Sequence, residues 1–350
     1  MYSTGPFFIW ERFTPRWNDA RWCDRTEMLD EVCVYWPGRW QMRWPRFPSW
    51  DALVVRHHGK TMRRFANVAP GVRPIVYLFR PSFLPYLSSI GPAATIYHAD
   101  DTFSLMGHWT AKDEAEQTAL IERADVVVAS SRRVAASLSG GKRVQLLPNG
   151  VDFNAFANTV LPCPDDLALI PHPRIAYVGF LNDKVDFQLI YEIARLQPSW
   201  HWVLVGPEVG LHNFSAENGE YLTRCRALKN VHCLGKKPHT EVPRYVQHMD
   251  VNTMCYRTTP GGWWTDVYPL KLHEYLAAGK PTVASPIDSV REFAHVVAIG
   301  ESVNDWICAI SQAIQTGGVG SREERQRVAA ENSWDRRLDT LEEWLQALPP

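Results

Sequence analysis

The chain has 350 residues, 37 of them Lys or Arg and 38 Asp or Glu, with a net charge of −1. This near-balance excludes a general electrostatic attraction to nucleic acid. With 45% hydrophobic residues, the chain excludes disorder and has the length of two domains. The charge is unevenly spread. Residues 1–80 hold twelve Arg and one Lys against seven acidic residues, and the remainder is net acidic. Seven of the 15 tryptophans fall in the first 50 residues, interleaved with arginine over 39–47. One reading is a Trp-rich core edge with solvated arginines. The other is a surface for anionic lipid headgroups, because indole rings favour the membrane interface and arginine favours its charge.

Seven scattered cysteines with no CxxC pair fit free thiols in a reducing cytosol better than a disulfide framework or a zinc site. No signal-peptide core and no apolar run of spanning length is visible. The expectation is a cytoplasmic protein, peripheral at most at the inner face of the plasma membrane.

In chain order, short apolar runs predict strands at Glu31–Trp36, Ala52–Val55, Pro74–Phe79, Ala93–Tyr97 and Ala124–Ser130. They are continuous rather than alternating, as in parallel sheets covered on both faces. Helices are predicted over Ala111–Arg123 and Ser131–Ser139, then a strand over Arg143–Leu147. Four prolines within 162–173 mark the best linker. The alternation restarts with strand Arg174–Val178, helix Asp186–Leu196, strands Trp202–Val205 and Asn230–Leu234, helix Glu241–His248 and strand Asp250–Met254. Helix Leu270–Ala278, strand Thr282–Ser285, helix Ser289–Phe293, strand His295–Ile299 and three final helices follow. This pattern predicts an α/β protein built from doubly wound, Rossmann-like sheets. The expected domains are 1–160 and 173–330, with a last helix in 331–350 packing back on the first. Ligands of such sheets bind at the carboxyl ends of the strands.

The most informative segment runs from Gly261 to Ser285. It reads as a glycine-containing loop, a helix and a strand. Pro269 suits a first helical turn, and Gly279 with Pro281 ends the helix. Lys271 sits near the helix N-terminus, where its charge opposes the dipole unless both share an anion. Glu274 lies one turn on. Read alone, Lys271 and Glu274 are equally a surface pair at i,i+3. A second segment, 97–103, places Asp100 and Asp101 just beyond a predicted strand.

Lys271–Ser285 resembles the nucleotide-sugar segment of GT-B glycosyltransferases. Asp266 and Glu274, with seven residues between them, resemble the paired acidic motif of the retaining glycogen-synthase-like families, with Asp in the first place. Together with 97–103, Ile121–Ser131 and Leu147–Asp152, the order of motifs is similar to bacterial exopolysaccharide transferases of the xanthan glucuronosyltransferase and teichuronic-acid type. The resemblance covers about 90–300. It implies a two-domain GT-B fold, a nucleoside-diphosphate-sugar donor (UDP favoured, GDP the alternative), no metal or other cofactor, and a saccharide acceptor that is lipid-linked. It implies Asp101 as general base, with Asp100 as its neighbour candidate. Lys271 would neutralise the diphosphate and Glu274 would hold donor hydroxyls. Asp266, Gly261, Gly262, Tyr268, Arg257 and His98 complete the substrate-binding set. His108 is a weaker candidate. Inverting chemistry with Asp101 and retaining chemistry with Asp266 and Glu274 both stay open. So do a nucleotide-sugar epimerase and a non-catalytic nucleotide-binding module. No GxGxxG follows a predicted strand, which argues against a dehydrogenase.

Overall fold

The structure is a computed structural model that describes residues 2–3, 8–9, 17–18, 20–29, 31–66, 69, 71–105, 109–138, 141–157, 161–210, 214–259 and 262–348. The chain forms two compact units that are not consecutive halves. The first gathers 1–99, 108–128 and 138–145, and the second gathers 100–107, 129–137 and 146–350. Residues 146–160, expected with the first domain, cluster with the second.

The first unit opens with three strands, β1 (Tyr2–Ser3), β2 (Arg25–Leu29) and β3 (Val32–Trp36), in the order β1-β3-β2. A four-stranded sheet then runs in chain order through β4 (Ile75–Leu78), β5 (Ala94–Ala99), β6 (Val126–Ala129) and β7 (Val144–Leu146). All residues of β5 and β6 are buried, which is why their apolarity is continuous rather than alternating. The helix Ala111–Arg123 begins with a reciprocal capping box between Thr110 and Asp113, two orphan donors satisfied at once.

One expectation is corrected here. Ala52–Val55 is not a strand but part of the helix Pro48–Phe65. Pro48 fits its first turn, and Val54, Val55, His58 and Gly59 form its buried face. A four-residue apolar run is equally the inward side of a helix, and its repeat four residues later decides the matter.

The second unit carries β8 (Arg174–Val178), β9 (His201–Val205), β10 (Val231–Gly235), β11 (Val251–Met254), β12 (Thr282–Ala284) and β13 (Ala298–Ile299). All five pairings are parallel, in the order β10-β9-β8-β11-β12-β13. Counted within this sheet, that is 3-2-1-4-5-6, the doubly wound order whose reversal leaves a ligand crevice beyond the carboxyl ends of the first and fourth strands. Those strands are β8 and β11. The core of this unit is continuous, with Tyr177, Phe187, Trp202, Tyr275 and Trp306 among its fully buried members. The helix Ala216–Arg226, absent from the sequence reading, covers β10 with only Asn218, Leu222 and Cys225 buried.

Two glycines shape the crevice. Gly179 follows β8 with φ +142°, and Gly206 follows β9 with φ +146°. A Cβ on Gly206 would stand 2.1 Å from the Gly179 carbonyl oxygen. A side chain would therefore meet immovable backbone there, in a conformation that only glycine adopts freely.

Candidate functional site at the strand switch point

The switch point is built by three backbone contacts, one tying the β8 loop to the end of β9 and two tying it to the segment after β11. The amide of Gly179 donates to Val205 O, that of Asp186 to Cys255 O, and that of Arg257 to Lys184 O. They bring Lys184 over the rings of Tyr256 and Trp263, with its Nζ 5.4 and 5.7 Å from the two centroids. Lys271 reaches the same place from the helix Leu270–Ala277. Its Nζ lies 3.7 Å from the centroid of Tyr177 and 5.4 Å from that of Tyr256. A Cβ on Gly179 would come within 2.6 Å of that Nζ, so the glycine is what admits the lysine beneath the loop.

Lys271 is only 7% exposed, and its Nζ has no hydrogen-bond partner. Burial pushes its pKa well below the ordinary lysine value, and the charge of Lys184 pushes it further down. The surface-pair reading of Lys271 and Glu274 therefore fails. The ammonium form rests on aromatic faces and faces a second lysine, with Cys255 and Glu274 favouring its charge more weakly than burial and Lys184 oppose it. The helix above it also begins without a side-chain cap, so its first N–H groups add to the positive end. Glu274, half-buried, has its carboxyl raised by burial, with Lys271 and His239 pulling it back.

Asp101 belongs to the same unit, and its charge acts on Lys184, raising a lysine pKa that burial lowers. Asp100 is fixed through its carbonyl, which accepts from Ser130 Oγ at 2.8 Å. The Asp101 carbonyl accepts from the amide of Phe103 at 3.0 Å.

The remaining expected residues divide clearly. Arg257 donates to Asp183 Oδ2 at 2.8 Å and stacks 5.3 Å from Trp264. It lines the crevice as half of an ion pair. Gly262 is required by Trp264, whose indole would lie 2.1 Å from any Cβ there. Asp266 accepts from Thr102 Oγ1 at 2.9 Å and Thr265 Oγ1 at 3.0 Å. Tyr268 is buried, its hydroxyl 2.7 Å from His273 Nε2, and its carbonyl accepts from Asn149 at 2.7 Å. Asp266 and Tyr268 line a cavity of about 200 Å³ with Ser130, Ser131 and Arg133, a lining in which Lys271 has no part. His98 belongs to the first unit. It is buried on β5 with Nδ1 2.6 Å from Tyr77 Oη, and burial lowers its pKa to about 4, so it stays neutral at pH 7. Gly261 and His108 lie outside the described residues.

Sequence reasoning missed Gly179, Lys184, Tyr177 and Tyr256. A glycine directly after the first strand of the second sheet, with a lysine five residues on, was the available signal. The aromatic faces become neighbours only through the contacts of the β8 loop with the segment after β11.

Residues 172–316 match the family described as glycosyl transferases group 1. TuaH of Bacillus subtilis (strain 168), which bears the name of a teichuronic acid biosynthesis glycosyltransferase, is 30% identical over 228 residues. The match covers 62% of this chain, and the chain spans about half (55%) of that relative's length. Over 172–316 the chain is similar to the group 1 glycosyltransferases. Its fold is GT-B. Anabaena Alr3699/HepE, solved in complex with UDP and glucose, superposes with a TM-score of 0.67 at 16% identity over 84% of this chain and 82% of that one. Sucrose-phosphate synthase of Thermosynechococcus elongatus gives 0.66 at 15% identity over 91% and 84%. At such identities the likeness concerns the fold. The matched region contains Gly179, Lys184, Lys271 and Glu274, so the switch-point lysines fall inside it.

Proposed function

We propose that the protein transfers a sugar from a nucleoside-diphosphate sugar, with UDP as the nucleotide, to a saccharide acceptor. The observation that carries this reading is the buried, unpartnered Nζ of Lys271 beside Lys184. Two lysines and an uncapped helix N-terminus are the groups a diphosphate requires. The UDP held by HepE and the teichuronic acid in TuaH's name support the donor and a polysaccharide acceptor.

In the proposed reaction an acceptor oxygen forms a bond to the anomeric carbon while the bond from that carbon to the diphosphate breaks. Asp101 takes the acceptor proton. The leaving diphosphate takes the electron pair, and its charge meets Lys271, Lys184 and the helix N-terminus. Glu274 accepts from donor hydroxyls. The course is inverting. Both carboxylate oxygens of Asp266 already accept from neighbouring hydroxyls, of Thr102 and Thr265, which favours Asp101 over the retaining alternative. No metal is needed, because the lysines supply the charge.

A nucleotide panel tests the donor site. At about a hundred times the dissociation constant, UDP should stabilise the protein by about 2.7 kcal/mol, equally in EDTA. GDP should give a smaller shift in melting temperature, and NAD none. A shift with NAD alone would sink the proposal.

The acceptor is proposed to be lipid-linked, met at the cytoplasmic face of a membrane. Among the described residues no helix is long and apolar enough to cross one. Arg39 and Arg43 do not serve a membrane. Arg39 donates to the carbonyls of Trp17 and Asn18, and Arg43 forms a bidentate pair with Asp51 at 2.6 Å. Exposed large apolar side chains among the described residues of 1–50 are Trp22 (67%), Met28 (62%), Leu29, Val32, Phe47 and Trp50, with Arg21, Arg25 and Arg46 among the charged residues. Vesicles containing phosphatidylserine should float the protein, and Met28→Glu with Leu29→Glu should leave it in the lower fraction. Wild type that stays below would remove the membrane from this account.

A further inference from the structure

The Asp100–Thr102 turn is held from two directions within the second unit. Ser130 Oγ donates to Asp100 O at 2.8 Å, and Thr102 Oγ1 donates to Asp266 Oδ2 at 2.9 Å. Asp266 is itself fixed at three other points. Its carbonyl accepts from Ser131 Oγ at 2.6 Å, its Oδ1 accepts from Thr265 Oγ1 at 3.0 Å, and Arg133 Nη1 stands 3.8 Å from that oxygen. Thr102 is buried, and the Asp266 side chain is 12% exposed. A charge-assisted hydrogen bond shielded from water is strong and directional. Thr102 is the residue next to Asp101, and its carbonyl accepts from the amide of Leu105 at 3.0 Å. The bond therefore fixes the turn that carries Asp101.

We propose that Asp266 is a positioning residue for the Asp100–Asp101 turn, acting through Thr102, and not a ligand of the donor sugar. The inference rests on the reading of Asp101 as the base given above. It assigns Asp266 work that its spacing from Glu274 does not suggest. Each oxygen of that carboxylate already accepts from a hydroxyl, which fixes its direction towards the turn. Thr102 has the hydroxyl that bond requires, and valine has nearly the same shape without it.

The test compares Thr102→Val, Thr102→Ser and Asp266→Asn with wild type. Thr102→Val should lower kcat by about tenfold to a hundredfold, the cost of misplacing a reacting group by a fraction of an ångström to an ångström. Its KM for donor and its UDP-induced melting shift should stay at wild-type values. Thr102→Ser should restore kcat. The double variant Thr102→Val/Asp266→Asn should be no slower than the slower single, since both changes act on the same bond. Hydrogen exchange at the amides of Phe103 and Leu105 should quicken in Thr102→Val and not in Thr102→Ser. Wild-type kcat in Thr102→Val would overturn the inference. So would a raised donor KM or a lost UDP shift in Asp266→Asn, which would make Asp266 a donor ligand. A fall in kcat that only tracks the folded fraction would also overturn it. Failure of the parent reading shows elsewhere, in a wild-type protein that transfers no sugar, and the exchange measurement still decides the link from Asp266 to the turn.

Discussion

Lys271→Met should melt at a higher temperature than wild type without ligand, and UDP should no longer stabilise it. The reason is the protonation of the lysine in the folded protein. Its ammonium form is disfavoured by burial and by Lys184, so the folded protein binds fewer protons here than the unfolded chain. The unfolded value is about 10.4. From the depressed folded value up to about 10.4, stability rises with pH, and below that window the full penalty applies. Methionine fills the same space under Gly179 without charge. Removing an uncompensated buried charge should contribute about 1–2 kcal/mol, or about 2–8 °C for a unit of this size. The advantage of the variant should shrink as the pH is raised towards 10. The cost appears in function. With the diphosphate unneutralised in the transition state, kcat/KM should fall about a hundredfold to a thousandfold. A variant that melts lower than wild type at pH 7, yet keeps its UDP shift, would mean that Lys271 is a packing residue. Stability and activity are opposed at this residue, the pattern expected where a site is strained for its ligand.

Asp101→Asn should separate chemistry from binding. Loss of a positioned base should lower kcat by about 10²–10⁴, with the UDP-induced melting shift intact. Glu274→Gln should do the reverse, weakening donor binding more than the residual rate. The anomeric configuration of the product, read by NMR, should be opposite to that of the donor. A product of retained configuration, or an Asp101→Asn enzyme of normal kcat, would transfer the role to the Asp266/Glu274 alternative.

The parts of this protein legible in sequence are those set by local physics. Arg174–Val178 and Leu270–Ala277 are recognisable because a strand buried on both faces runs apolar over most of its length, here Ile175–Val178, and a helix stopped by Gly279 and Pro281 has few other endings. Ala52–Val55 was misread because four apolar residues do not reveal whether their neighbours at one turn's spacing are also buried. The helix Ala216–Arg226 was missed because its exposed surface is polar and one of its three buried side chains, Asn218, is polar as well. Asn218 is buried for tertiary reasons, donating to Val185 O and accepting from the Phe187 amide. At the site, Lys271 and Glu274 stood out by motif. Lys184 did not, because it reaches the crevice only when the loop after β8 is pinned to the end of β11. Asp266 stood out for a spacing that suggests donor contact, while its bond to Thr102 spans 164 positions in sequence, a separation that no local pattern encodes.

The glycine crossing has a consequence for anyone wishing to change which donor is used. Gly206 sits so close to the Gly179 carbonyl that neither position tolerates a randomised codon. A library spread evenly over the crevice would lose most of its members to misfolding at these two places. Diversity belongs instead on a half-exposed side chain such as Trp263, where a new contact can be gained without moving the backbone that admits Lys271.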